Sequence, residues 1–287
     1  MKKIAARAGV YAVVCVFFIL TLAPLFMTLS ISLQSESEIY SPTLTLVPSS
    51  PLFINYADAM AAGDWAKYFF NSVFIAFVVT AVSLLINSIA GYVFARVPFK
   101  YSGALFMLIL VGMMIPTQTT MIPVYLMLRQ IPFAGGNDIF GQGGRGLYDS
   151  LWGLILPFIA GSFGVFLCRQ YYLTFPSELD DAAKIDGCGR FGAFLRVYAP
   201  LSGPLFASLG LLKFTGTWNE YTWPLIMTRS DGMKTVQLAL AAFRNESGIA
   251  WSRLMAASVL TGLPVYALFF AAQKHFVAGL TAGSVKG

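Results

Sequence analysis

The sequence predicts an all-α membrane protein with six transmembrane helices, and three observations carry that prediction. Of 287 residues, 57% are hydrophobic and 11% charged, and the mean hydropathy is +0.71, whereas soluble domains carry about 25% charged residues. Six apolar stretches, 10–33, 69–95, 105–127, 151–173, 203–227 and 254–274, each approach the ~20 residues that a helix needs to cross ~30 Å of hydrocarbon. With the N-terminus inside, eleven of the nineteen Lys and Arg fall on the cytoplasmic side and seven outside, Lys213 lying within a span. That bias predicts cytoplasmic termini. The net charge of +6 therefore reports orientation in the lipid bilayer. It does not indicate nucleic-acid binding, since no basic stripe with interleaved aromatics exists.

The first stretch follows Lys2, Lys3 and Arg7, but it is too long for a signal-peptide core and no clean cleavage pattern follows it, so a retained helix is expected. The outer segment 34–68 is broken by Pro42, Pro48 and Pro51 and reads as an extended crossing with one short helix near 56–62. In the second span Asn87 offers a hydrogen bond to another helix or a place on a solute path. Pro116, Pro123 and Pro264 are expected to kink their helices, which neighbours can accommodate. The outer loop 131–150 holds six glycines and is expected to be flexible; it lacks the Lys-Ser/Thr that ends a phosphate-binding loop. Cys15, Cys168 and Cys188 read as packing residues, and His275 as an interfacial side chain. The whole chain reads as a single membrane domain.

The exception to this apolar pattern is the loop 174–202. Pro176 suits a first helical position, Ser177 can cap, and Glu178, Asp180 and Asp181 crowd a first turn where the helix dipole favours negative charge. Gly187 supplies a left-handed stop. Phe191, Phe194, Leu195 and Tyr198 then recur at i, i+3, i+4 and i+7 before Pro200, predicting a second helix with a buried aromatic face. A helix that seeks the membrane surface has a basic polar face, whereas acids outnumber Lys184 here. A protein partner fits that surface better.

At these residues the chain becomes recognisable. Asp181-Ala182-Ala183, then Gly187, Val197 and Pro200, resembles the "EAA" loop of ABC importer permeases, whose pattern is Glu-Ala-Ala, three residues, Gly, nine residues, Ile-x-Leu-Pro. The spacing fits without gaps; Asp181, Val197 and Ala199 replace Glu, Ile and Leu. Ile185-Asp186-Gly187, the run Trp218-Asn219-Glu220-Tyr221-Thr222-Trp223-Pro224-Leu225, the C-terminal segment 279–287, Asn55-Tyr56 and Asn71-Ser72 are similar to the carbohydrate-uptake branch, the maltose and glycerol-phosphate permease type.

The resemblance implies the type I ABC importer permease architecture: a multi-pass subunit of the cell membrane that hydrolyses nothing itself. It implies work beside a second permease as a heterodimer, two nucleotide-binding ATPase subunits that hold the ATP and Mg, and an extracytoplasmic solute-binding protein. No cofactor is expected on this chain. By the same likeness Glu178, Asp181, Ala182, Ala183 and Gly187 form the ATPase contact, and rocking of the loop alternates access to the solute path. Gly187→Pro or Ala183→Arg is then expected to uncouple transport in a folded protein.

Intramembrane polar groups are costly and mark function by default. Lys213 and Glu220, with Asn219 and Asn87, are therefore candidates for the translocation path, Trp218 or Trp223 stacking on a sugar ring. The bland alternative places both Trp in the outer aromatic belt, Glu220 at the interface and Lys213 against the companion permease. An ion-coupled secondary transporter is the rival class, for which Lys213 and Glu220 make a poor relay. A membrane enzyme is weaker still, because a lone His and scattered acids give no catalytic constellation.

Overall fold

A computed structural model describes residues 2–43, 45–245 and 248–284. The chain falls into two compact units, Met1–Ala66 with Leu238–Pro264 and Lys67–Gln237 with Val265–Gly287. Residues 285–287, which close the C-terminal signature and include Lys286, lie outside the described residues, as does the side chain of His275.

Among the described residues three helices are long and apolar enough by themselves to cross a membrane: Gly9–Ser32, Trp65–Arg96 and Trp251–Gln273. The other crossings expected from sequence are broken. Ser102–Met114 meets Thr117–Arg129 at 102°, Leu151–Phe158 meets Ser162–Leu173 at 43°, and Arg190–Leu201 meets Gly203–Trp218 at 78°. Six crossings result when each bent pair counts as one span. The stretch 203–227, expected as one helix, is two: Gly203–Trp218 and Thr222–Met227.

The breaks have local causes. Ile115 precedes a proline and is driven to φ −82°, ψ 119°, because the pyrrolidine ring excludes it from the helical region. Pro116 then starts the next helix without offering a side-chain cap. Gly161, fully extended, opens Ser162–Leu173 after a short 3₁₀ turn containing Pro157. Pro123 and Pro264, in contrast, sit inside uninterrupted helices.

In the first unit, the end of the opening helix is tied off by polar side chains. Asn55 Nδ2 donates to the carbonyls of Ser32 and Gln34 at 3.0 and 2.9 Å, supplying partners that terminal carbonyls lack. Glu36 Oε1 accepts from the Ser252 amide at 3.1 Å, at the amide-rich start of the Trp251–Ser284 helix where a carboxylate is favoured. The short helix of this segment is Ile54–Ala61.

In the second unit, Trp65–Arg96 and Ser162–Leu173 approach closely through small residues. A Cβ on Gly91 would strike Cys168, and one on Gly164 would strike the Asn87 amide. Such close packing is how membrane helices associate where no hydrophobic drive separates them from lipid. Asn71 and Ser72 hold the segment of chain before Val236: Asn71 Nδ2 donates to Gly232 O and Lys234 O, both at 2.9 Å, and Ser72 Oγ accepts from Val236 N.

The glycine-rich outer loop is not the flexible tether expected from composition. Asn137 Nδ2 donates to Arg129 O and Ile131 O while its Oδ1 accepts from Gly144 N. Five of the loop's glycines have positive φ, so glycine here serves a folded path instead of slackness. Asp149 Oδ1 fastens the far end by accepting from the amides of Arg229 and Ser230 and from Ser230 Oγ, at 3.0, 3.0 and 2.9 Å.

Burial alone would raise the Asp149 pKa, but these amides and the Ser230 hydroxyl bring it below its usual value of 3.8. The bonds therefore contribute stability above the ordinary carboxylate pKa and lose it as pH falls through the lowered one. Amide hydrogen exchange at Arg229 and Ser230 is expected to accelerate in Asp149→Asn at neutral pH; unaltered protection contradicts the assignment. Gly91→Val is expected to destabilise by about 1–3 kcal/mol through overpacking, read as a lowered Tm in detergent, and an unchanged Tm contradicts the close approach.

Candidate functional site

The loop outside the apolar stretches forms the expected helix, turn and helix. Its first helix is Glu178–Ile185, with Glu178, Asp180 and Asp181 in the first turn. Ser177 makes no side-chain cap bond, so dipole complementarity alone favours that end. Gly187, at φ 72°, ends it: the Gly187 amide donates to Lys184 O at 3.0 Å and the Cys188 amide to Ala183 O at 2.8 Å. This pair of bonds is the Schellman stop, which requires a left-handed residue at that place. The second helical stretch runs past Pro200 to Leu201 and contains a π-helical turn over Phe194–Tyr198. Phe194 and Tyr198 are buried as expected, but Phe191 and Leu195 stay 63% and 50% exposed, because the π turn rotates the inward face.

One of the expected contact residues lies inward. Ala183 is 3% exposed and belongs to the interior of this loop. Ala183→Arg would therefore damage the fold, and Gly187→Pro would remove both the left-handed conformation and an amide bond. The face left open holds Glu178, Asp181, Ala182, Ile185 and Gly187, with Ile185 87% exposed. Lys184 pairs with Asp181 at 2.9 Å, and that bond raises its ammonium pKa; the pair is exposed and adds little to stability.

Beneath this face lies a clasp that the sequence reading missed. Arg96, the last residue of Trp65–Arg96, donates from Nε and Nη2 to Tyr172 O at 3.1 and 2.7 Å, from Nη2 to Phe175 O, and from Nη1 to Asp180 Oδ2 at 3.2 Å. Asp180 Oδ1 accepts from Tyr198 Oη at 2.6 Å. A guanidinium can serve all three directions because its donors form a rigid planar fork. Tyr198 is fully buried, stacks on Phe175 and packs against Tyr92, whose hydroxyl donates to Arg190 O at 3.0 Å. Val197 and Ala199, the variant positions of the loop motif, still pack on this aromatic cluster.

The polar residues inside the spans divide into two groups. Lys213 and Glu220 line one cavity of about 310 Å³, with Thr117, Thr120, Phe158, Ala160 and Trp223 among its other walls. Each of the three broken spans contributes, since Thr117 starts a half-helix, Ala160 lies in the second break and Lys213 in Gly203–Trp218, while Glu220 sits in the gap after Trp218. Glu220 Oε1 accepts from the Trp223 amide at 2.9 Å, tying off the start of Thr222–Met227.

Asn219 and Asn87 lie elsewhere. Asn219 Oδ1 accepts from Gln237 Nε2 at 3.3 Å on the surface. Asn87, 1% exposed, donates to Ser83 Oγ at 2.8 Å and accepts from Gly161 N at 3.3 Å, so it joins helices and does not line the cavity. Neither Trp is a belt residue: Trp218 is buried against Phe69 and Phe214. Trp223 is buried at the cavity wall, its indole N–H on Gly153 O at 3.0 Å and its ring edge-on to Phe158.

Residues 87–282 match the family described as binding-protein-dependent transport system inner membrane component. The chain is 35% identical over the full length of both chains to the arabinooligosaccharides transport system permease protein AraQ of Bacillus subtilis strain 168. It is 32% identical to the lactose transport system permease protein LacG of Rhizobium radiobacter, covering 96% of this chain and 95% of that one. Its fold resembles a chain of a bacterial ABC transporter that imports the acidic polysaccharide alginate, with a TM-score of 0.80 at 21% identity over 96% of this chain and 98% of the other.

The clasp predicts a measurable coupling. Arg96→Ala is expected to cost about 2–4 kcal/mol, since it strands Asp180 and two helix-end carbonyls. In a double-mutant cycle with Asp180→Ala, denaturation in detergent is expected to be non-additive by about 1–2 kcal/mol. Simple additivity contradicts a shared clasp.

Proposed function

The chain belongs to the family of binding-protein-dependent transport system inner membrane components, and on that premise we propose that it is the permease subunit of an ATP-driven importer of a carbohydrate-type solute. The relatives' full-length likeness supports the carbohydrate class, and membership in this family favours the importer over the ion-coupled secondary transporter. The observation that carries the mechanism is the Glu178–Ile185 helix, bare on one face and bolted to Trp65–Arg96 through Arg96 and Asp180 on the other.

In this reading the chain stands beside a second permease, receives solute from an extracytoplasmic binding protein and docks its bare face on one of two ATPase subunits. Those subunits hold ATP and Mg; this chain supplies no step of hydrolysis. The loop and both termini face the cytoplasm. Glu178, Asp181 and Ala182 form the contact, the small side chain of Ala182 allowing close approach, and Gly187 fixes where the helix ends. When the ATPases close, the docked helix is displaced, and Arg96 passes that displacement to the long helix it terminates. Rigid-body rocking of packed helices then opens the cavity at Lys213 and Glu220 to alternate sides.

The test places a long side chain on the bare face without touching the interior. Ala182→Arg is expected to leave expression and Tm unchanged but to lower ATP-dependent uptake into proteoliposomes by about tenfold or more, as loss of a central interface contact does, measured with whichever of an arabino-oligosaccharide, lactose, digalacturonate or glycerol phosphate the unaltered importer accepts. Wild-type uptake by this variant contradicts the assigned face.

A further inference from the structure

We propose that the transported solute carries an anionic group and that Lys213 is its counter-ion in the cavity. This rests on the importer reading and narrows it from carbohydrates in general to acidic or phosphorylated ones.

Lys213 lies within the apolar Gly203–Trp218 helix and lines the cavity of about 310 Å³. Among the described residues Lys213 takes no part in the ion pairs, which include Arg96–Asp180, Lys184–Asp181 and Lys234–Asp231, so no carboxylate there neutralises it. Glu220 shares the cavity wall, yet forms no ion pair with Lys213, and one of its oxygens is held by the Trp223 amide. Gly161 adjoins the ammonium: a Cβ there would stand in ordinary contact, 3.7 Å from Lys213 Nζ. A cation at this depth is costly, and such groups persist where they face a cavity and serve a substrate.

The surrounding walls match a sugar that bears such a group. Phe158 and Trp223 offer fixed aromatic surfaces, Trp223 being locked by its bond to Gly153 O. Thr117 and Thr120 add hydroxyls, and Glu220 adds an acceptor for sugar hydroxyls. The cavity is at the small end of the ~300–1,000 Å³ range of ligand sites. A carboxylate or phosphate would pair with Lys213 directly. A neutral sugar would leave the ammonium desolvated and unpaired, which is how a polar site rejects an analogue lacking the matching group.

The complete importer, reconstituted in proteoliposomes with its companion permease, ATPase subunits and binding protein, discriminates the outcomes with three labelled probes: digalacturonate, glycerol phosphate and lactose. ATP-driven uptake of digalacturonate or of glycerol phosphate in preference to lactose is expected, the two anionic arms separating a carboxylate from a phosphate. Lys213→Met is expected to lower uptake of the accepted anion by about tenfold, and Lys213→Arg to restore most of it, as truncation and conservative replacement of a buried charge partner do. Uptake of lactose with neither anion overturns the inference while the importer reading stands; it would place the counter-ion on the companion permease. Undiminished anion uptake by Lys213→Met overturns it as well. Absence of ATP-driven uptake of all three probes overturns the inference, and absence of uptake of an arabino-oligosaccharide as well overturns the importer reading with it.

Discussion

The arginine fork at the end of the Trp65–Arg96 helix is the interaction on which the working parts of this chain depend. Helix ends leave carbonyls short of partners, and at the end of Ser162–Leu173 the guanidinium of Arg96 reinforces Tyr172 O, which also accepts from the Phe175 amide, and takes up Phe175 O just beyond. The same guanidinium holds Asp180, and Asp180 in turn receives the hydroxyl of Tyr198. One side chain thus joins the end of a long helix, the end of a broken one, and both helical stretches of the loop. Because the loop is otherwise short and largely exposed, its position is set by this junction and by the aromatic cluster beneath it.

A second constraint comes from the membrane. Backbone polar groups freed by a broken helix are tolerated at membrane depth only where they are buried in protein or line a cavity. Here the breaks at Ile115–Pro116 and Ile159–Gly161 and the gap after Trp218 contribute walls to one cavity, and loose ends are satisfied locally: Glu220 takes the Trp223 amide, and Asn87 takes the Gly161 amide. The polar side chains that looked alike in the sequence thus separate: Glu220 and Asn87 tie off broken backbone, Asn219 meets Gln237 at the surface, and Lys213 does neither.

Much of this organisation was legible in the sequence because its signals are local. Apolar stretches report crossings, and the acidic turn followed by Gly187 reports the helix and its stop, down to the left-handed residue observed. What escaped was set by tertiary contact. The run 203–227 hides its own interruption, since the polar Asn219 and Glu220 are flanked on both sides by apolar and aromatic residues and read as polar groups within one helix. Ala183 looked like surface because its neighbours are charged, yet the packing of Asp180 against Arg96 and Tyr198 turns that side inward. Arg96 itself read as one more positive charge at a cytoplasmic helix end. Only its distance of 84 residues from Asp180 explains why spacing could not reveal the pair. The glycines of the outer loop misled for a related reason: composition cannot tell a slack loop from one whose turns require positive φ.

Transmission through the clasp is the central claim, and the ratio of solute imported to ATP hydrolysed measures it most directly. In proteoliposomes holding the complete importer with Arg96→Ala, ATP hydrolysis is predicted to persist while solute moved per ATP falls by about tenfold, a coupling of ordinary allosteric size. A ratio equal to that of the unaltered importer would contradict the account.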